Sequence, residues 1–250
     1  MAIKSFKRYE KKFILNQEQY DVLIPKLLEY MKPDEHCEFD KNYSIYNIYY
    51  DTTNNDVIRH SISKPYYKEK LRLRSYSIPS SLDDKVFLEL KKKINGIVNK
   101  RRVVLTLDDA YKFLTYGVEP ICSNYLNKQV IKEIKYYLEK NKVIPKVYIS
   151  YSRKAFFAKD DKDFRLTFDS KIITRRDDLS LEDGSFGYPI LDDGIYLMEV
   201  KILKAMPLWF TRILTELEIY NTHFSKYGNE FMNYCLNNSN IDLKRGEKIC

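Results

Sequence analysis

The stretch Lys70-Leu71-Arg72-Leu73-Arg74-Ser75-Tyr76 sets basic and aliphatic residues in alternation. As a strand it places Lys70, Arg72 and Arg74 on one face and Leu71 and Leu73 on the other. Three like charges on one strand face repel each other, which is tolerable in open water or where an anion sits among them. Ammonium and guanidinium groups bond most strongly to phosphate and carboxylate oxygens, so the chemistry on offer is anion binding. Taken alone, the stretch reads first as a solvated basic stripe, a common surface feature.

The same pattern recurs along the chain, and that shifts the reading. An early segment offers Glu10 and Lys12. Later ones offer Phe87, Glu89, Lys91 and Lys93 opposite Val86, Leu88 and Leu90, then Lys100-Arg101-Arg102, where either register brings a cation to a given face. Further on come Arg153, then Arg165, Thr167 and Asp169 opposite Leu166 and Phe168, then Glu199 and Lys201. In a sheet with one wet face these charges point at solvent. In a closed barrel clad by helices they point inward, and the chain encloses a polar tunnel with more cations than anions. Such a tunnel is strained when empty and satisfied by a linear polyanion; its few carboxylates would hold a divalent metal that bridges phosphates. Glu10 and Glu89 read equally as metal ligands or as partners for neighbouring cations.

Eight main strands are expected, about 5–15, 43–50, 66–76, 85–94, 97–106, 146–158, 164–169 and 196–203, with a separate short strand at 171–176. Asn95-Gly96 is a two-residue hairpin signal. Helices are expected from an Asn16 N-cap to about Met31, with Pro25 as a kink or delayed start, from Asp108-Asp109 to Tyr116, over about 124–140, over 207–220 and over about 225–237. The acidic loop 177–194 fits no calcium-loop spacing. The fold expected is therefore α+β, an eight-stranded antiparallel tunnel, closed as a barrel, with a basic interior and about five helices packed outside. Residues 1–237 read as one domain and 238–250 as a flexible tail.

Composition narrows the partners. The 250 residues carry 43 Lys and Arg against 35 Asp and Glu, a net charge of +8, so an anionic partner fits. Only 7 glycines are present and no Gly-rich nucleotide loop exists. Cys37, Cys122, Cys235 and Cys250 are scattered and read as unpaired thiols of a reducing cytoplasm. The three histidines lack metal-ligand spacing, and no apolar run approaches membrane-spanning length. Nucleic acid is not the expected partner, because the basic residues alternate on strands instead of clustering on a recognition helix. A cytoplasmic location is expected, with peripheral attachment to a membrane through partners left open.

Tyr9-Glu10-Lys11-Lys12-Phe13, Tyr49-Tyr50-Asp51, Lys70 to Tyr76, Phe87-Leu88-Glu89-Leu90-Lys91, Lys100-Arg101-Arg102, Ser150-Tyr151-Ser152-Arg153, Phe164 to Asp169, Met198-Glu199-Val200-Lys201 and Phe224-Ser225-Lys226-Tyr227 together resemble the VTC domain. That is the polyphosphate polymerase domain of the vacuolar transporter chaperone complex, within the CYTH-like triphosphate tunnel metalloenzymes. The resemblance runs from about residue 5 to 235. It implies an eight-stranded tunnel that binds nucleoside triphosphate or polyphosphate with Mn²⁺ or Mg²⁺. Lys12, Arg72, Arg74, Lys91, Lys100, Arg153, Arg165 and Lys226 match phosphate-binding positions, with Ser225 beside the last, and Glu199 matches the metal-binding glutamate. Strand parity adds Lys70, Arg102 and Lys201. The catalytic set expected is Arg72, Arg74, Lys91, Arg153, Arg165 and Glu199. Where the superfamily's first strand carries E-x-E-x-K, this chain has Arg8-x-Glu10-x-Lys12, one carboxylate fewer. The leading expectation is a metal-dependent transferase that uses ATP to extend inorganic polyphosphate. The alternatives are a triphosphatase of the same fold and a non-catalytic polyphosphate-binding module. Protein partners are not legible.

Overall fold

The computed structural model describes residues 9–246 apart from 41, 162 and 204. Arg8, and with it the altered slot of the first strand, lies outside the described residues. The chain order is β1 (Tyr9–Leu15), α1 (Gln17–Tyr30), β2 (Met31–Pro33), β3 (Tyr43–Asp51), α2 (Asp56–Ile62), β4 (Tyr67–Ser75), β5 (Lys85–Ile94), β6 (Ile97–Thr106), α3 (Leu107–Tyr116), α4 (Tyr125–Asn141), β7 (Ile144–Ala158), β8 (Arg165–Arg175), β9 (Tyr188–Pro189), β10 (Tyr196–Ile202), α5 (Leu208–Glu216), β11 (Asn221–Thr222) and α6 (Lys226–Gly246).

Local chemistry sets most of these boundaries. Asn16 caps α1 reciprocally with Gln19, and the helix runs through Pro25 without ending. The cap of α3 is Thr106, whose hydroxyl accepts from the Asp109 amide, not the expected Asp108-Asp109 pair. Those two acids lie in the first turn, where the helix dipole favours them. Asn95 and Gly96 both take positive φ, 46° and 82°, and join β5 to β6 as the two-residue turn requires. The last helix passes the expected end near 237 and continues to Gly246.

All eleven strands form one antiparallel sheet in the order β11-β1-β10-β8-β7-β3-β4-β5-β6, with β2 added to β7 and β9 to β8. This corrects the expected closed, eight-stranded barrel: the sheet is open and has more strands. Its two flanks still face each other across the concave side, for Lys91 of β5 lies 3.8 Å from Glu10 of β1. β1 already pairs with β10 on one edge and, through Lys12 and Phe13, with β11 on the other, so side chains span the remaining gap to β5.

The convex face carries two apolar cores. Leu71, Leu73, Leu88, Leu90 and Val103 pack under α3 and α4 with Phe113, Ile131 and Ile134. Phe156, Leu166, Phe168, Met198 and Val200 pack under α1 and α5 with Leu23, Leu27 and Phe210. The expectation of helices only on the outside holds for these four. The other two, α2 and α6, close one end of the concave side. Ile45, Val147, Ile149 and Leu197 point inward there, and Ile58, Phe224, Tyr227 and Phe231 cover them. Apolar side chains on a concave face need that cover as much as those outside do.

Asp51, fully buried, joins these two helices to the sheet. Its carboxylate accepts from the amides of Thr52 (2.7 Å), Val57 (2.9 Å) and Ile58 (3.0 Å) and from the Tyr227 hydroxyl (2.7 Å). Asp51→Ala leaves several buried donors without partners, and each costs roughly 1–3 kcal/mol. Urea unfolding is expected to show a loss of at least about 3 kcal/mol, with the midpoint shifted and the slope unchanged.

Candidate functional site

The concave face of the sheet lines a cavity of about 650 Å³. Fourteen of the fifteen residues singled out from sequence line it: Glu10, Lys12, Lys70, Arg72, Arg74, Lys91, Lys100, Arg102, Arg153, Arg165, Glu199, Lys201, Ser225 and Lys226. The fifteenth, Glu89, lies beneath the wall, fully buried. Eleven lining side chains are cationic and two are carboxylates. The alternation of β1, β4, β5, β6, β8 and β10 sends these groups inward and their leucines and valines outward, as strand parity requires.

Cross-strand register arranges β4, β5 and β6 in rungs. Arg72 pairs with Glu89 and Glu89 with Arg102; the next rung is Lys70, Lys91 and Lys100. Glu89 holds the first rung together. Arg72 donates to its Oε2 at 2.7 Å, Arg102 to its Oε1 at 2.5 Å, and Lys100 lies 3.4 Å from Oε1. Burial alone would raise the Glu89 carboxyl, but Arg72 and Arg74 lead the neighbours that hold it well below the usual carboxylate range. Both oxygens of Glu89 face guanidinium groups.

A second network ties α6 to the opposite wall. Arg153 of β7 donates twice to Asp169 of β8, at 2.6 and 2.7 Å. Lys226, the first residue of α6, donates to Asp169 at 2.5 Å and to Glu199 of β10 at 3.1 Å. Lys12 of β1 also reaches Glu199 at 3.1 Å and lies 3.4 Å from Glu10. Burial acts to raise Glu199, and Lys12, Lys226 and Arg153 outweigh it and hold the carboxyl well below its ordinary value. Burial likewise acts to lower Lys226, and Asp169 and Glu199 outweigh it, leaving the ammonium charged. These partners explain a cation at a helix start, which the dipole alone disfavours. Ser225 serves as the cap, its hydroxyl accepting from the Gly228 amide at 3.2 Å.

Arg165 stands apart at one mouth, bonded to Asp34 at 3.0 Å. Lys201 makes no ion pair among the described residues; burial lowers its ammonium to about 8, against the opposing pull of Glu199 and Glu10.

Several contributors lie outside the site set expected from sequence. Asp169, expected on the inward face of its strand, is a fully buried anchor inside β8. Tyr49 and Tyr151 receive hydrogen bonds from Arg72 (3.0 Å) and Arg74 (3.1 Å), Asn47 receives one from Arg74 (2.8 Å), and Tyr76 one from Arg102 (3.0 Å). Strand parity could have found Asn47 and Tyr49; nothing in the sequence marks which tyrosines hold a guanidinium.

No group of three or more acidic, histidine or cysteine side chains could hold a metal among the described residues. Glu10 and Glu199 flank the Lys12 ammonium, at 3.4 and 3.1 Å, and are the two cavity-lining carboxylates to which an ion bridging substrate phosphates would turn.

The Glu89 carboxylate has a testable pH signature. Its folded value is depressed, so its stabilisation is complete above its ordinary 4.5 and is lost as pH falls below that. Wild-type melting temperature is expected to fall steeply below that point. Glu89→Gln should flatten that limb and lower the melting temperature at neutral pH, measured by calorimetry.

No curated protein matches the sequence. Among solved structures, a protein from Bacillus halodurans, provisionally described as an adenylate cyclase, shares the fold with a TM-score of 0.50 at 14% identity. The match covers 88% of this chain and 95% of that one. A second, from Vibrio parahaemolyticus and described in the same terms, has a TM-score of 0.47 at 12% identity, covering 90% and 98%. The family model for the VTC domain matches residues 7–233. With that match over nearly its whole length, and with the order of basic strands seen in the cavity, the chain belongs to the VTC domain family.

Proposed function

We propose that this chain transfers phosphoryl groups from ATP, or another nucleoside triphosphate, to inorganic polyphosphate held in the cavity. One observation carries the reading: eleven cations face two carboxylates around a single cavity, an excess of positive charge that a phosphate chain satisfies. Arg72, Arg74, Lys91, Arg153 and Arg165 hold and align the triphosphate, with Lys12, Lys70, Lys100, Arg102, Lys201, Ser225 and Lys226 along the rest of the path. A terminal oxygen of the acceptor chain attacks the γ-phosphorus in line, and the bond from that phosphorus to the β,γ-bridging oxygen breaks to release the nucleoside diphosphate. Such a transfer needs positioning and charge neutralisation more than a protein nucleophile. Mn²⁺ or Mg²⁺, held by Glu199 with Glu10, would supply further neutralisation of the phosphate oxygens. With ATP as donor, the reading places the reaction in the cytoplasm. No helix of the described residues is long and apolar enough to cross a membrane.

Incubation of the purified protein with ATP and Mn²⁺, with the products resolved by gel and chromatography, tests the reading. Long-chain polyphosphate with an equivalent of ADP supports it. Orthophosphate alone would point to a triphosphatase, and tight binding without turnover to a binding module. Glu199→Gln is expected to lower kcat by about 100-fold or more while tripolyphosphate binds as tightly as before or more tightly, since one negative charge leaves the cavity.

A further inference from the structure

The inward rungs of β4, β5 and β6 differ in charge in a way that the proposed transfer does not itself require. Arg72, Glu89 and Arg102 form a rung with a carboxylate at its centre. The adjacent rung, Lys70, Lys91 and Lys100, has an ammonium at every position. Lys100 leans 3.4 Å from Glu89 and Lys91 lies 3.8 Å from Glu10, but among the described residues no carboxylate lies within ion-pair distance of Lys70. Its ammonium lies 5.9 Å from the centre of the Tyr227 ring. Like charges opposite one another across strands oppose folding, so this rung is a local cost of the ligand-free state.

Building on the phosphate-binding reading above, we infer that the Lys70–Lys91–Lys100 rung is the seat of the terminal phosphate of a linear chain, and that Lys70 makes the site selective for chain ends. An internal phosphate of a polyphosphate carries one negative charge and two free oxygens. A terminal phosphate carries up to two charges over three equivalent oxygens. The arginine rung offers planar forks that fix a phosphate in one orientation. Three ammonium groups, each a compact charge with freely turning donors, suit an end group that can rotate. Lys91 and Lys100 each touch one carboxylate at the edge of the rung, and Lys70 is left without one, whereas Glu89 sits at the centre of the arginine rung.

The groups that face Lys70 are Lys68 on its own strand, Lys91 on β5, Lys12 on β1, Asp51 at the end of β3 and Tyr227 on α6. Burial first, then Lys91, Lys68 and Lys12, push the ammonium down to about 7. Asp51 opposes them weakly, since it is engaged by Tyr227 and the α2 amides. A doubly charged phosphate beside Lys70 restores its proton; a ring phosphate, with single charges only, does so less.

Calorimetric titration of metal-free protein with linear tripolyphosphate and with cyclic trimetaphosphate separates the possibilities. Wild type is expected to prefer the linear compound. Lys70→Met should weaken the linear compound by about tenfold or more and the ring by no more than about threefold, and Lys70→Arg should restore part of the preference. Removing a repelled charge should leave the ligand-free melting temperature at or above that of wild type. Should Lys70→Met fail to fold, Lys70→Gln takes its place, and the wild-type linear-over-ring preference should shrink at least about fivefold between about pH 7 and pH 9, a drop that Lys201→Met should retain and Lys70→Gln should lose. Equal weakening of both ligands by Lys70→Met, or a preference unchanged by both the substitution and pH, overturns the end-seat assignment but leaves the proposed function standing. Failure of wild type to bind either compound overturns both.

Discussion

The structure depends on one electrostatic constraint: a curled sheet must keep many cations on its concave face without being forced open by their repulsion. Four buried or half-buried carboxylates manage it. Glu89 binds Arg72, Arg102 and Lys100; Asp169 binds Arg153 and Lys226; Glu199 and Glu10 share Lys12. Each sits where removing it would strand two or more charges in a partly desolvated place, which is far costlier than losing a surface pair. Burial disfavours all of these ions, and mutual attraction outweighs it for the carboxylates, as their lowered values record.

Compensation is uneven across the cavity. On the wall formed by β7, β8, β10 and the start of α6, Arg153, Asp169, Glu199 and Lys226 pair with one another. Lys226 alone links that helix to both Asp169 and Glu199, so the position of α6 and the geometry of the carboxylates are one arrangement. The wall formed by β4, β5 and β6 retains cationic charge that no protein group answers. The cavity wall is thus shaped by its own ion pairs on one side and keeps spare positive charge on the other.

Stability is supplied from elsewhere. The leucines and phenylalanines that alternate with the site residues form the convex cores under α1, α3, α4 and α5. Because one strand serves both faces, a one-residue slip of register would exchange core for charge along its whole length. The apolar cores thereby fix the rungs of the site, and the inward charges need not be mutually favourable for the sheet to hold its register. At the end where the inner face turns apolar, Phe224, Tyr227 and Phe231 seal it, and Asp51 fastens that seal to β3 and α2.

The alternation of Lys70, Arg72 and Arg74 with Leu71 and Leu73, repeated on five further strands, determined by itself that charge and core would lie on opposite faces, because a strand has period two. It also determined the Asn95-Gly96 hairpin and the Asn16 cap, which rest on local backbone chemistry. Only the tertiary structure decided that the faces converge, that the sheet stays open beside β1 and β6, and that α6 enters the concave end instead of joining the outer layer. Those outcomes follow from packing and charge between residues far apart in the chain. Asp169 shows the difference most plainly: its place on β8 was readable, but its partners Arg153 and Lys226 are 16 and 57 residues away, and only folding brings their charges within bonding distance.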